Sequence, residues 1–121
     1  MTVSTVRVRR VHDAPDPGAD GVRVLVDRLW PRGVSKAAAA VDRWPKAVTP
    51  STELRKWFHS GAGTAAEFRA RYEAELAAPE AGAELDRLRA LVAAGPVTLL
   101  TAVRDPGSSH AAVLAELLRA G

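Results

Sequence analysis

Ionisable and aromatic side chains crowd two short stretches of this chain. The first, Val22 to Gly33, is an apolar β-branched run that ends in Asp27 and then delivers Arg28, Trp30 and Arg32 before a Pro/Gly exit. The second, from Val97, ends on Arg104 and Asp105 and reaches His110 five residues later. Arg28, Arg32 and Arg104 are the residue type that grips a carboxylate or phosphate with a planar fork of donors. Asp27, Asp105 and His110 are the candidate proton carriers, histidine being the side chain that changes charge near neutral pH. Trp30 beside Pro31 offers a flat face to a planar ligand or a guanidinium. The commoner role of such a tryptophan is to cover the core, and that role is expected for Trp30, Trp44 and Trp57 alike. Asp27 also has a purely structural alternative, in which it neutralises Arg28, Arg104 or another arginine.

Other chemistries are excluded or lack a pattern. The chain has no cysteine, so disulfides, thiolate nucleophiles and thiolate metal sites are ruled out. Gly107-Ser108-Ser109-His110 is not a Gly-x-Ser-x-Gly nucleophile turn. His12, His59 and His110 show no metal-ligand spacing, and no glycine loop of phosphate- or dinucleotide-cradling type occurs. No cofactor and no metal are therefore expected. A length of 121 residues fits one domain over residues 1–121, and 47% apolar with 26% charged residues is ordinary for a globular chain. The net charge of +3 is far from the dense basic clustering of a dedicated nucleic-acid binder. No apolar run approaches the ~20 residues of a membrane span, and Met-Thr-Val-Ser-Thr-Val-Arg lacks a signal peptide's apolar segment. The expectation is a cytoplasmic protein without a membrane partner.

Local patterns place the candidate residues. Thr5–Val11 alternates valine with arginine, the period of a half-exposed strand. Asp13–Gly21, with two prolines, two glycines and three aspartates, reads as a surface loop. Val22–Asp27 reads as an inner strand, buried through Val22, Val24 and Val26 on one side and Leu25 on the other. Gly33–Ala40 fits either a helical turn or a loop, and Val41–Val48 an edge strand or irregular segment containing Pro45. Thr49-Pro50-Ser51-Thr52-Glu53 starts a helix to about His59, with Leu54, Trp57 and Phe58 inward. Thr64 and Glu67 form a capping box ahead of the stripe Phe68, Tyr72, Leu76. Leu85, Leu88, Leu91 and Val92 mark a further helix, stopped by Gly95 and Pro96. Val97–Val103 reads as a strand buried on both faces and parallel to Val22–Asp27. After the turn at Arg104–Gly107, Ser108 or Ser109 caps a last helix with Val113, Leu114, Leu117 and Leu118 inward. The fold class is α/β: one compact domain with a small, mostly parallel sheet flanked by helices.

Several blocks are more specific together than singly: Arg23–Lys36 (RVLVDRLWPRGVSK), Asp42–Phe58 (DRWPKAVTPSTELRKWF), Glu67–Leu76 (EFRARYEAEL) and Val97–Leu114 (VTLLTAVRD…HAAVL). In order and spacing the chain resembles the YeaO-like branch of the bacterial domain-of-unknown-function family 488. The resemblance spans nearly the whole chain and implies a compact α/β domain with a largely parallel sheet, but no established activity. It also implies a helix between the first two strands, where this chain has only the short Asp13–Gly21 stretch, so the direction of the first strand stays open. Wider relatives often carry cysteine in the last strand and before the histidine. Here those places hold Thr101 and Ser108/Ser109, and a thiol mechanism does not transfer.

Three functional readings follow, in order. The first is a site for an anionic small molecule at the strand ends, catalytic or not, with Arg28, Trp30, Arg32 and Arg104 as ligand contacts and Asp27, Asp105 and His110 as proton carriers. The second is a nucleic-acid-binding or regulatory module, disfavoured by the scattered acids Glu53, Glu67, Glu73, Glu75, Glu80 and Glu84. The third is a non-catalytic interaction domain presenting its tryptophans.

Overall fold

The computed structural model describes residues 5–120. The N-terminal stretch read above for a signal peptide lies largely outside the described residues, as does the side chain of Ser108, one of the two candidate helix caps. Three strands form one parallel sheet in the order β1-β3-β2, with β1 Val6–Arg10, β2 Val22–Leu25 and β3 Val97–Thr101. β1 pairs with β3 from Val6↔Val97 and β2 pairs with β3 from Val22↔Val97, both parallel, which settles the direction of the first strand. All five residues of β3 are buried, as a central strand covered on both faces must be.

Strand residues alternate between faces, so this register sorts the side chains into two sets. On one face Val6, Val24, Val26, Val97 and Leu99 join the main core, built with α3 (Thr52–His59), α4 (Ala65–Leu76), α5 (Pro79–Ala94) and α6 (His110–Ala120). Val113 and Leu117 of α6 pack against that core, while Leu114 and Leu118 lie inside it. On the other face Leu25 and Leu100 join Val11 and Ala39 in a smaller core flanked by Trp30 and Trp44. Burying each leucine of β3 contributes about 1.5–3 kcal/mol, so the paired apolar faces fix this register strongly.

Sequence expectations are corrected at Asp13–Gly21 and at the end of β3. Asp13–Gly21 is not all loop: Pro17–Asp20 forms the short helix α1, with proline in its first turn. Its last residue, Asp20, is fully buried. The carboxylate accepts two bonds from Arg9 at 2.9 and 3.0 Å, one from the Asp16 amide at 2.9 Å, and a further short one from Arg23. Of the two readings of Val41–Val48, the irregular segment is the one observed. It makes one isolated bridge, Val24↔Arg43, and a 3-10 turn at Lys46–Val48, because Pro45 removes a ladder donor and the chain turns there. Gly33–Ala40 contains a short helix, α2 (Lys36–Ala39), capped by Ser35 through the Ala38 amide. β3 ends at Thr101 rather than Val103.

Arg23 ties the smaller face together. Only 4% exposed, it bonds Asp20 and donates to the Ala39 carbonyl from both Nε (3.2 Å) and Nη2 (2.9 Å). Its own amide donates to the Asp42 carboxylate at 2.9 Å. Gly21 begins β2 with φ +62°, and a Cβ there would stand 2.1 Å from the Pro96 carbonyl oxygen, so only glycine lets the two strands start side by side. No helix among the described residues is long and apolar enough to cross a membrane.

Candidate functional site

The sheet ladder continues one residue beyond β2, through the Val26 amide to the Leu100 carbonyl at 3.0 Å, and then the chain leaves the sheet at Asp27. At this mouth the Asp27 carboxylate is saturated. Its Oδ1 accepts from the Thr101 hydroxyl at 2.7 Å and its Oδ2 from the Ala102 amide at 2.8 Å. His110 Nε2 lies 3.1 Å from Oδ1 and 2.9 Å from the Val26 carbonyl oxygen. A carbonyl only accepts, so Nε2 carries the proton and donates to both. Burial pushes the Asp27 carboxyl up, but the bonds from His110, Ala102 and Thr101 outweigh it and hold the group below the usual carboxylate range. Asp27 thus pairs with His110 and not with an arginine.

His110 opens α6, where Ser109 is the cap: its hydroxyl accepts from the Ala111 amide at 3.1 Å and donates to the Pro106 carbonyl at 2.7 Å. Tyr72 stands edge-on to the imidazole at 6.3 Å and continues an aromatic row through Phe68 (5.9 Å) to Phe58 (4.6 Å from Phe68). Burial, with Glu75 nearby, pushes the Tyr72 phenol up, so it stays a donor to the Val48 carbonyl.

The opposite wall comes from the segment after β2. Arg28 donates from Nε to the Pro50 carbonyl at 3.1 Å and from Nη2 to the Thr49 carbonyl at 3.4 Å. The Trp30 indole donates to the Val34 carbonyl at 2.6 Å and meets Trp44 edge-on at 5.4 Å, while Trp44 donates to the Asp27 carbonyl at 2.7 Å. Both tryptophans therefore pack against the smaller core, yet Trp30 also borders open space. Trp57 packs partly buried against the main core, with Arg71 3.9 Å from its ring centre.

Between these walls lies a cleft of about 530 Å³. Five of the seven sequence-predicted site residues line it: Asp27, Arg28, Trp30, Asp105 and His110. Arg32 and Arg104 are exposed and do not line it, because the first sits on the Pro31-Arg32-Gly33 turn and the second follows the end of β3. Sequence reading missed Arg55 and His59, which also line the cleft. They lie four residues apart on α3 and so share a helical face, a spacing that could have flagged them. α3 is set rigidly at its start: Ser51 caps it through the Leu54 amide at 3.1 Å, and Glu75 of α4 holds the Ser51 amide at 2.8 Å. Among the described residues, Arg55 and His59 make no side-chain hydrogen bond or ion pair.

The arrangement can bind, and it holds one oriented imidazole. Among the described side chains it offers no activated nucleophile: the Thr101 hydroxyl is spent on Asp27, the Ser109 hydroxyl is spent on capping α6, and the chain has no cysteine.

Comparison with known proteins adds the lineage. A model of the DUF488-N3i family, described as the inactive DUF488-N3 subclade, matches residues 5–121. The chain belongs to this family. It is 47% identical over 114 residues to the uncharacterized protein YeaO of Escherichia coli K12, covering 94% of this chain and 96% of that protein. It is 50% identical over 113 residues to the uncharacterized protein Rv3073c of Mycobacterium tuberculosis H37Rv, covering 93% and 92%, and equally to Mb3100c of Mycobacterium bovis. No solved structure matches the chain.

Proposed function

We propose that this protein is a binding module for a small anionic molecule, seated in the cleft over the C-terminal ends of β2 and β3. One observation carries the reading: Arg55 and His59 border the cleft on one turn of a firmly capped helix and spend their donors on no other described residue. An unspent guanidinium is the natural partner for a carboxylate or phosphate. Arg28, braced against two carbonyls, adds positive charge to the same space. Asp27 detracts little, since three donors already engage its charge. The position is also where open parallel sheets receive ligands.

Binding is favoured over catalysis because no described side chain beside His110 is an activated nucleophile, which agrees with the family's description as the inactive subclade. Asp27 then serves as a brace for His110, whose ring forms part of the cleft wall. The test is calorimetric titration of wild type and Arg55→Glu with phosphate, acetate and benzoate. Saturable binding of at least one anion, weakened ~10-fold or more (about 1.4 kcal/mol) by the charge reversal, is expected. No binding, or binding indifferent to the reversal, overturns the reading.

A further inference from the structure

The cleft is large and apolar enough to seat an organic ligand. Its volume of about 530 Å³ lies within the ~300–1,000 Å³ of pockets that enclose organic ligands. The unspent donors occupy one helical turn, whereas much of the remaining lining is hydrocarbon. Phe58 and Phe68 face it as a tilted ring pair 4.6 Å apart. Trp30 has its indole N–H tied to Val34, which leaves its ring carbons to meet a ligand. Leu29 stands at the same cleft 68% exposed, the large apolar side chain that the described fold leaves in water. An exposed leucine beside aromatic walls is better covered by a flat apolar body than by water.

The charge pattern limits the ligand further. Asp27 and Asp105 also line the cleft but are already engaged, so the donors left for an anion are those of Arg55 and His59 on one helical turn. That small donor set matches a single carboxylate better than the several anionic groups of a nucleotide. We infer that the cleft takes an aromatic monocarboxylate, its carboxylate on Arg55 and His59 and its ring among Leu29, Trp30, Phe58 and Phe68. The inference rests on the anion site proposed above and adds the class of ligand.

The probes are 2-naphthoate, its neutral alcohol 2-naphthalenemethanol, acetate and inorganic phosphate, titrated into the full chain with tryptophan fluorescence and calorimetry. The expected result is that 2-naphthoate binds ~10-fold or more tightly than each of the other three. Arg55→Gln should bring 2-naphthoate down to the level of the alcohol, and Leu29→Ser, at an exposed position, should weaken it a few-fold without altering the fold. Acetate or phosphate binding as tightly as 2-naphthoate, with sensitivity to Arg55→Gln, overturns the aromatic inference and leaves the anion site standing. The alcohol binding as tightly as 2-naphthoate overturns both, as does the absence of any binding. Circular dichroism of both variants separates lost binding from lost folding.

Discussion

Replacing Asp27 with asparagine tests whether this carboxylate is the brace of the cleft. The two residues have nearly the same shape, so the perturbation is one of donors and acceptors. In the native arrangement the carboxylate accepts from Thr101 Oγ1, the Ala102 amide and His110 Nε2. An asparagine must point its NH₂ group somewhere. Aimed at Ala102 it meets a backbone donor; flipped, it meets His110 Nε2–H, which the Val26 carbonyl holds as a donor. Either way one donor is left unsatisfied, at about 1–3 kcal/mol, and the surviving bonds lose the extra strength of a charged acceptor. Relief of the carboxylate's desolvation returns part of this, leaving a net loss of about 2 kcal/mol. For a chain of this length that corresponds to a fall in Tm of roughly 6–10 °C. The assay is urea unfolding followed by tryptophan fluorescence, with the m-value checked for constancy. Stability within about 0.5 kcal/mol of wild type would refute the reasoning, because a brace cannot be neutralised so cheaply.

Further predictions concern the scaffold. Burial pushes the Asp20 carboxyl up, but the Asp16 amide, Arg9 and Arg23 lower it from 3.8 to about 2. Its contribution of about 2 kcal/mol is therefore complete above the unfolded value and is lost as pH falls through 3.8 towards 2, with Asp27 shifted in the same direction. Urea midpoints should fall between pH 5 and pH 2, and a flat profile would contradict this. Asp20→Ala, which leaves Arg23 buried without its carboxylate, should cost about 3–5 kcal/mol in the same unfolding assay. Gly21→Ala should cost at least about 2 kcal/mol, since the new methyl collides with Pro96 at a left-handed φ; a neutral melting curve would count against the β2–β3 start described here.

How much of this was readable beforehand depends on the range of the forces involved. The period-2 and period-3.6 patterns of Val22–Leu25, Val97–Thr101 and Phe68/Tyr72/Leu76 are local, and so they foretold the parallel sheet and its covering helices. The Thr64–Glu67 box is equally local, and both its bonds are present. The mouth of the sheet was located because strand ends carry charge out of a buried run. The pairing there was not, since Asp27 finds His110 across 83 residues and nothing local distinguishes it from an arginine partner. Arg23 gave no signal either: its burial depends on Asp20 folding into α1 behind it, a contact made only in three dimensions. Arg55 and His59 were passed over because their helix covers a core on one side and borders a cleft on another. Arg32 and Arg104 lie outside the cleft lining, since closeness in sequence to the strand ends does not fix where a side chain sits.

The most direct test of the anion site is a ¹H–¹⁵N NMR titration of the full chain with benzoate, following the backbone amides and the arginine Nε–H resonances. Saturable shifts confined to Arg55, His59 and the segment from Asp27 to Pro31, and abolished in Arg55→Gln, are the predicted result. Shifts that never saturate, or that fall instead on surface arginines such as Arg32 and Arg104, would contradict it.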